Sequence, residues 1–194
     1  NPSFEETFSC SDFNLIYLEN FIYNWYGGRG YFNVCRVGDF DIPINICGHQ
    51  YPRSGNAYCG IYTYLKNTYP IRHYIQTKLS ETLIENKKYK VSFFVSLGDT
   101  LHANCNSIGA FLSTDSFVVS NPGTLLNHIP QIQNHLENDL NNKSGWTMVT
   151  DSFIASGNEK WITIGNFYHD SIILVTPLDS VCNQPSPYGC GSYY

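Results

Sequence analysis

The chain has 194 residues and a net charge of −5, with 14% charged and 15% aromatic residues. An average globular protein carries roughly 25% charged residues, so this surface takes its polarity from Asn, Ser, Thr, Tyr and Gly. The basic residues are scattered with no stripe to follow a phosphate backbone, which argues against nucleic acid as a partner, and the length fits one domain (1–194) with a real core.

The opening N-P-S-F-E-E is turn-rich and then acidic. Glu5 and Glu6 are hard oxygen ligands beside a turn, a setting that calcium accepts; a solvated acidic pair is the plainer alternative. Residues 13–23 (F-N-L-I-Y-L-E-N-F-I-Y) are strongly apolar, and their period fits a strand or a short helix. Residues 25–33 form an aromatic and glycine loop holding Tyr31, and 36–56, rich in Gly, Pro, Asn and Asp, read as a long ordered loop.

Residues 57–64 (A-Y-C-G-I-Y-T-Y) read as a Tyr-rich strand, and 74–79 (Y-I-Q-T-K-L) as another. The clearest element is Lys90–Leu97. Val91, Phe93, Val95 and Leu97 fall on one face and Lys90, Ser92, Phe94 and Ser96 on the other, the period-two signature of a strand with one face in a core. Phe94 interrupts the polar face, so that face is expected to be partly covered too. Strands follow at 107–113, 146–155 and 161–167. The last two, joined by Ser156-Gly157-Asn158-Glu159-Lys160, read as a hairpin with a five-residue loop. Residues 171–175 are the final clear apolar run.

One window reads differently. Ile132, Leu136 and Leu140 recur every four residues, which is helical spacing, and Pro130 suits a helix N-terminus. The Asn and Asp that fill the window are poor helix formers, so a short helix over 130–141 and an extended loop both stand open. Many short strands separated by turns imply an antiparallel all-β sandwich.

Seven cysteines stand at 10, 35, 47, 59, 105, 182 and 190, with no C-x-x-C pair. That pattern fits an oxidised, extracellular protein with up to three disulfides. Cys10–Cys35 and Cys47–Cys59 are the preferred pairs, because each would tie a long loop to a neighbouring strand, although sequence does not fix connectivity. No apolar run approaches a membrane span, so membrane insertion is not expected. No G-x-S-x-G elbow or H-E-x-x-H pair occurs, and a non-enzymatic role is expected.

The aromatic residues offer a different chemistry. A Tyr ring has an apolar body that packs on sugar C–H faces and a polar tip. Tyr31 and Tyr51, with Arg53 in a turn beside Tyr51, are candidate ligand contacts; Trp25 reads as core. Asn166 and Tyr168 follow a strand, where a binding edge is one reading and turn chemistry the other.

Several segments stand out in order along the chain: N-P-S-F-E at the start, Tyr31-Phe32-Asn33-Val34-Cys35, P-R-S-G-N-A-Y-C-G-I over 52–61, R-H-Y-I-Q over 72–76, the stretch Lys88–Leu97, and I-G-N-F-Y over 164–168. Together they resemble a group of secreted Bacteroidota proteins. The resemblance implies a galactose-binding-like jelly roll, akin to carbohydrate-binding modules, on a cell-surface protein of the type IX secretion pathway. It also implies a chain trimmed at both ends, since such modules start a few residues earlier and continue past Tyr194 into an I-D-D-V strand. In related modules the early Glu, here Glu5, helps hold a structural calcium, while the matching aspartates are absent from this chain. The expectation is therefore a non-catalytic, extracellular module for a glycan or cell-surface polysaccharide. The alternative is a subunit of a surface fibre or adhesin that self-associates through edge strands or an intermolecular disulfide.

Overall fold

The structure is a computed structural model that describes residues 4–6, 24–27, 29–32, 41–66, 71–118, 124–179 and 190–193, of which 29–32 and 190–193 are described by their backbone. In chain order the strands are β1 (Trp25–Tyr26), β2 (Arg29–Phe32), β3 (Ile44–Asn45), β4 (Gly48–His49), β5 (Ala57–Gly60), β6 (Tyr62–Lys66), β7 (Ile75–Lys78), β8 (Lys88–Val95), β9 (Ala103–Cys105), β10 (Gly109–Ser113), β11 (Ile132–Gln133), β12 (Thr147–Ile154), β13 (Trp161–Gly165), β14 (Val175–Pro177) and β15 (Cys190–Tyr193). Every ladder is antiparallel, and no helix occurs among the described residues. The chain is all-β and sandwich-like.

The largest sheet has the order β1-β7-β13-β10-β11. Its registers pair Ile164 with Ile75 on one side and with Ala110 on the other, so these side chains share a face. That face meets Val95 of β8 and Val149 of β12 in one core cluster, with Val91 and Phe93 packed against it. Burying side chains of this size contributes about 1.5–3 kcal/mol each, enough to fix which face of each strand turns inward. Along β8, Val91, Phe93 and Val95 turn inward while Lys88, Lys90 and Ser92 face water, as the alternation predicts. The other face of the large sheet is covered as well. Phe111 and Phe117 pack there with buried Tyr74, Leu126 and Phe167, and Gln76 clamps the Phe117 backbone, accepting from its N–H at 2.9 Å and donating to its carbonyl at 2.6 Å.

Two expectations are corrected, and one open choice is resolved. Residues 130–141 form no helix: Ile132 and Leu140 are buried but Leu136 is 79% exposed, so the four-residue spacing does not describe one face. Ile132 pairs with Ala110 instead. Asn134 and Asn138 donate to each other's side-chain and backbone oxygens, the local competition with helical bonding to which asparagine is prone. The strands at 147–154 and 161–165 are not a hairpin. The first pairs with β8 and the second with β7 and β10, so the loop between them carries the chain from one layer to the other. Gly157 and Asn158 both have positive φ there, and Ala155 N donates to Lys87 O at 3.0 Å, which holds the turn to the start of β8. Residues 57–64, read as one strand, are two. The chain breaks at buried Ile61 and changes partner, β5 pairing with β2 and β6 with β15.

Candidate functional site

Tyr51 and Arg53 lie on one loop between β4 and β5, and the loop is anchored from below. Gln50 N donates to Pro43 O at 2.7 Å. The Gln50 side chain accepts from Ser96 Oγ at 3.1 Å and donates to Tyr51 O at 3.0 Å. Trp146 Nε1 donates to the same Tyr51 carbonyl at 3.0 Å. With its backbone held by two donors, Tyr51 turns its ring outward, 63% exposed, edge-on to the His49 imidazole at 5.2 Å. His49 is fixed in turn by Asp99, whose Oδ2 accepts from its backbone N–H at 2.7 Å.

Beneath this loop Trp146 and Tyr58 meet edge to face at 5.7 Å, and Asn45 Nδ2 donates to the Tyr58 hydroxyl at 2.6 Å. Burial pushes the Tyr58 phenol up to about 12, against the opposing pull of the Asn45 bond. Tyr58 is thus a neutral supporting group at any physiological pH. Two residues past Tyr51, the exposed Arg53 lays its guanidinium over the Phe94 ring, which accounts for the apolar break on the outer face of β8.

Glu5 serves the next stretch of the same loop. Its Oε1 accepts from Asn56 N at 2.8 Å and Ala57 N at 3.2 Å, and its Oε2 from Asn56 Nδ2 at 3.4 Å. Gly55 makes room with a φ of +67°; a Cβ there would stand 2.2 Å from Glu5 Oε1. Donors turned toward both oxygens suit a carboxylate that organises a loop, and they are poorly placed to share it with a cation. Among the described residues no group of three or more His, Cys, Asp or Glu side chains converges.

The other expected residues lie elsewhere. Asn166 is fully buried. Its amide donates to Thr63 O at 2.9 Å and to Cys105 Sγ at 3.7 Å, and its side-chain oxygen accepts from Tyr168 N at 3.0 Å. It holds strands together and is not a surface contact. Tyr168 is half-buried beside it, and burial raises its phenol despite a hydrogen bond with Gln133. Tyr31 lies in β2 directly opposite Tyr58. Cys47 and Cys59 line the same small cavity with Tyr58 and Trp146; Cys10 and Cys35 lie outside the described residues.

Two features went unread in the sequence. Trp146 links the loop to β12, although it read only as a strand residue. Buried Arg72 forms an ion pair with Asp170 and donates to Thr63 O at 3.5 Å. Desolvation lowers its pKa. An arginine between Ile71 and His73 in a chain of low charge was the available signal.

Compared with family models, with curated proteins and with solved structures, the chain matches none. Among the described residues no helix is long and apolar enough to cross a membrane.

Proposed function

We infer that this chain is a non-catalytic, extracellular carbohydrate-binding module with a jelly-roll arrangement of its sheets, carried by a bacterial cell-surface protein. The observation that carries this reading is the Tyr51 ring, held outward by bonds to its own backbone from Trp146 and Gln50. Its orientation is set before any ligand arrives, so stacking on a sugar face costs little ordering entropy. His49 and Arg53 flank it as donors to hydroxyls, and the low surface charge suits a neutral polysaccharide.

The test is a glycan array followed by calorimetry on the best hits. Tyr51→Ala should weaken binding at least tenfold with an unchanged melting temperature. Equal binding by the variant would move the site off this loop, and hydrolysis of any glycan by the pure protein would overturn the non-catalytic assignment.

A second reading, a subunit that assembles through strand edges, is favoured by one observation. Among the described residues β8 carries a ladder on one side only.

A further inference from the structure

The layer formed by β8 and β12 contains a slot. Val91, Ser92, Phe93, Phe94 and Val95 line one side of a cavity of about 810 Å³, and Ala57, Tyr58 and Cys59 of β5 line it too. Five consecutive residues of a strand, from both of its faces, border one cavity only if the edge of that strand lies along it. Trp25, Ile75, Ile162 and Ile164 of the large sheet also line the cavity, forming an apolar floor.

The register shows what the edge presents. Lys88 to Val95 pair with Ile154 to Thr147, and one step further Ala155 N donates to Lys87 O at 3.0 Å. Hydrogen-bonded and non-bonded pairs alternate in an antiparallel ladder. The odd-numbered residues of β8 therefore bond to β12, and the even-numbered Lys88, Lys90, Ser92 and Phe94 turn N–H and C=O to the opposite edge. Leu97, also odd, donates to Asn142 O on the β12 side at 2.9 Å, in phase with this assignment. Ser92 and Phe94 thus aim backbone donors and acceptors into the slot.

We propose that this slot receives a β-strand donated by another protein chain, an extended segment with apolar side chains at alternate positions and an acidic side chain between them. The apolar set would rest on Trp25, Ile75 and Ile164. The acidic one would face outward beside exposed Lys90 and Arg53, and no described Asp or Glu lines the cavity. The inserted strand would join β12-β8 to β5-β2, placing a five-stranded layer against the five-stranded sheet below. The main chain would supply affinity and the alternate side chains specificity. This deepens the assembly reading and shares Arg53 with the glycan reading.

The probe is a capped heptapeptide, Thr-Val-Glu-Ile-Thr-Val-Thr, against a scrambled peptide of the same composition, followed by amide hydrogen exchange and light scattering on the whole chain. The alternating peptide should slow exchange at Ser92 and Phe94 at least tenfold, leave Val91 and Phe93 unchanged and keep the protein monomeric. The scrambled peptide should do neither. Replacing the peptide's Glu by Lys should weaken binding several-fold, and Arg53→Gln should shrink that difference. Three results would overturn the proposal. One is exchange at Ser92 and Phe94 already as slow as at Phe93 in the free monomer, meaning that the chain covers its own edge. Another is peptide binding that does not slow them. The third is protection that rises with protein concentration in the absence of peptide, making the occupant a second copy. Glycan binding by Tyr51→Ala, measured in parallel, keeps failure of the slot distinct from failure of the sugar site.

Discussion

The guanidinium carbon of Arg53 sits 3.5 Å from the centroid of the Phe94 ring. A cation over an aromatic face at a surface site contributes about 0.5–1 kcal/mol, and here it also shields a ring that β8 would otherwise show to water. Arg53→Ala should lower stability by about that amount, and Arg53→Lys should recover part of it, because an ammonium does not stack as a planar guanidinium does. A denaturation cycle with Phe94→Leu isolates the pair: if the coupling is zero, the contact has no energetic weight.

Glu5 and Gly55 act as a unit. Gly55→Ala meets a positive φ and a steric conflict with the Glu5 carboxylate, and should cost about 1–3 kcal/mol. Glu5→Ala removes an acceptor from two backbone N–H groups and should cost about 1 kcal/mol. The double variant should lose less than the sum, because the carboxylate that the new methyl would strike is gone. Strict additivity in urea melts would show that backbone strain alone sets the Gly55 cost. A chelator should leave the wild-type melting temperature unchanged.

Arg72 and Asp170 hold together segments 98 residues apart. Removing one partner of a fully buried pair costs about 3–5 kcal/mol. The Asp170 side chain is 43% exposed while that of Arg72 is 4% exposed, so water screens part of the pair, and Asp170→Ala should cost about 2 kcal/mol. Arg72→Met, which removes the charge rather than stranding it, should cost less than Asp170→Ala. The reverse order would mean that the guanidinium's other contacts outweigh the pair.

Tyr58 gives the fold an alkaline limit. Its phenol titrates near 12 in the folded chain against 10 when unperturbed. Below pH 10 the group is neutral in both states and its contribution is fully present. Between pH 10 and 12 the unfolded chain ionises first, and stability falls by about 1.4 kcal/mol per pH unit from this group. Tyr64, Tyr74 and Tyr168 are raised too, each mainly by desolvation, so they add to the same loss. Tyr58→Phe should be less stable at pH 8 by about 1 kcal/mol, through the lost Asn45 bond, and should decline less steeply above pH 10. Parallel curves would place the alkaline loss in the other tyrosines.

Strand positions were legible wherever one face meets the core and the other meets water. β8 shows this best, since Lys88, Lys90 and Ser92 alternate with residues that share the core. Pairing was not legible. β12 and β13 are neighbours in sequence with a good turn between them, and only their partners across the layers reveal that the turn changes sheet. The window at 130–141 misled because its apolar spacing comes from two unrelated burials, Ile132 in a ladder and Leu140 in the core. At the candidate site, Tyr51 and Arg53 were readable as a loop pair, and the structure puts them on one loop. Asn166 was not, because a polar residue after a strand looks the same whether it faces solvent or spends its amide on Thr63 and Cys105.

The pairing of β6 with β15 joins Tyr64 to Ser192, and β8 waits some sixty residues for β12. Loop-closure entropy must be met before such contacts reward it, so folding should be slow for a chain of this length. A nascent chain leaving a ribosome would hold β6 without its partner until β15 emerges. Through that interval its exposed edges are the ones most open to wrong pairing, and the time a chaperone must keep this protein company is set by the position of β15.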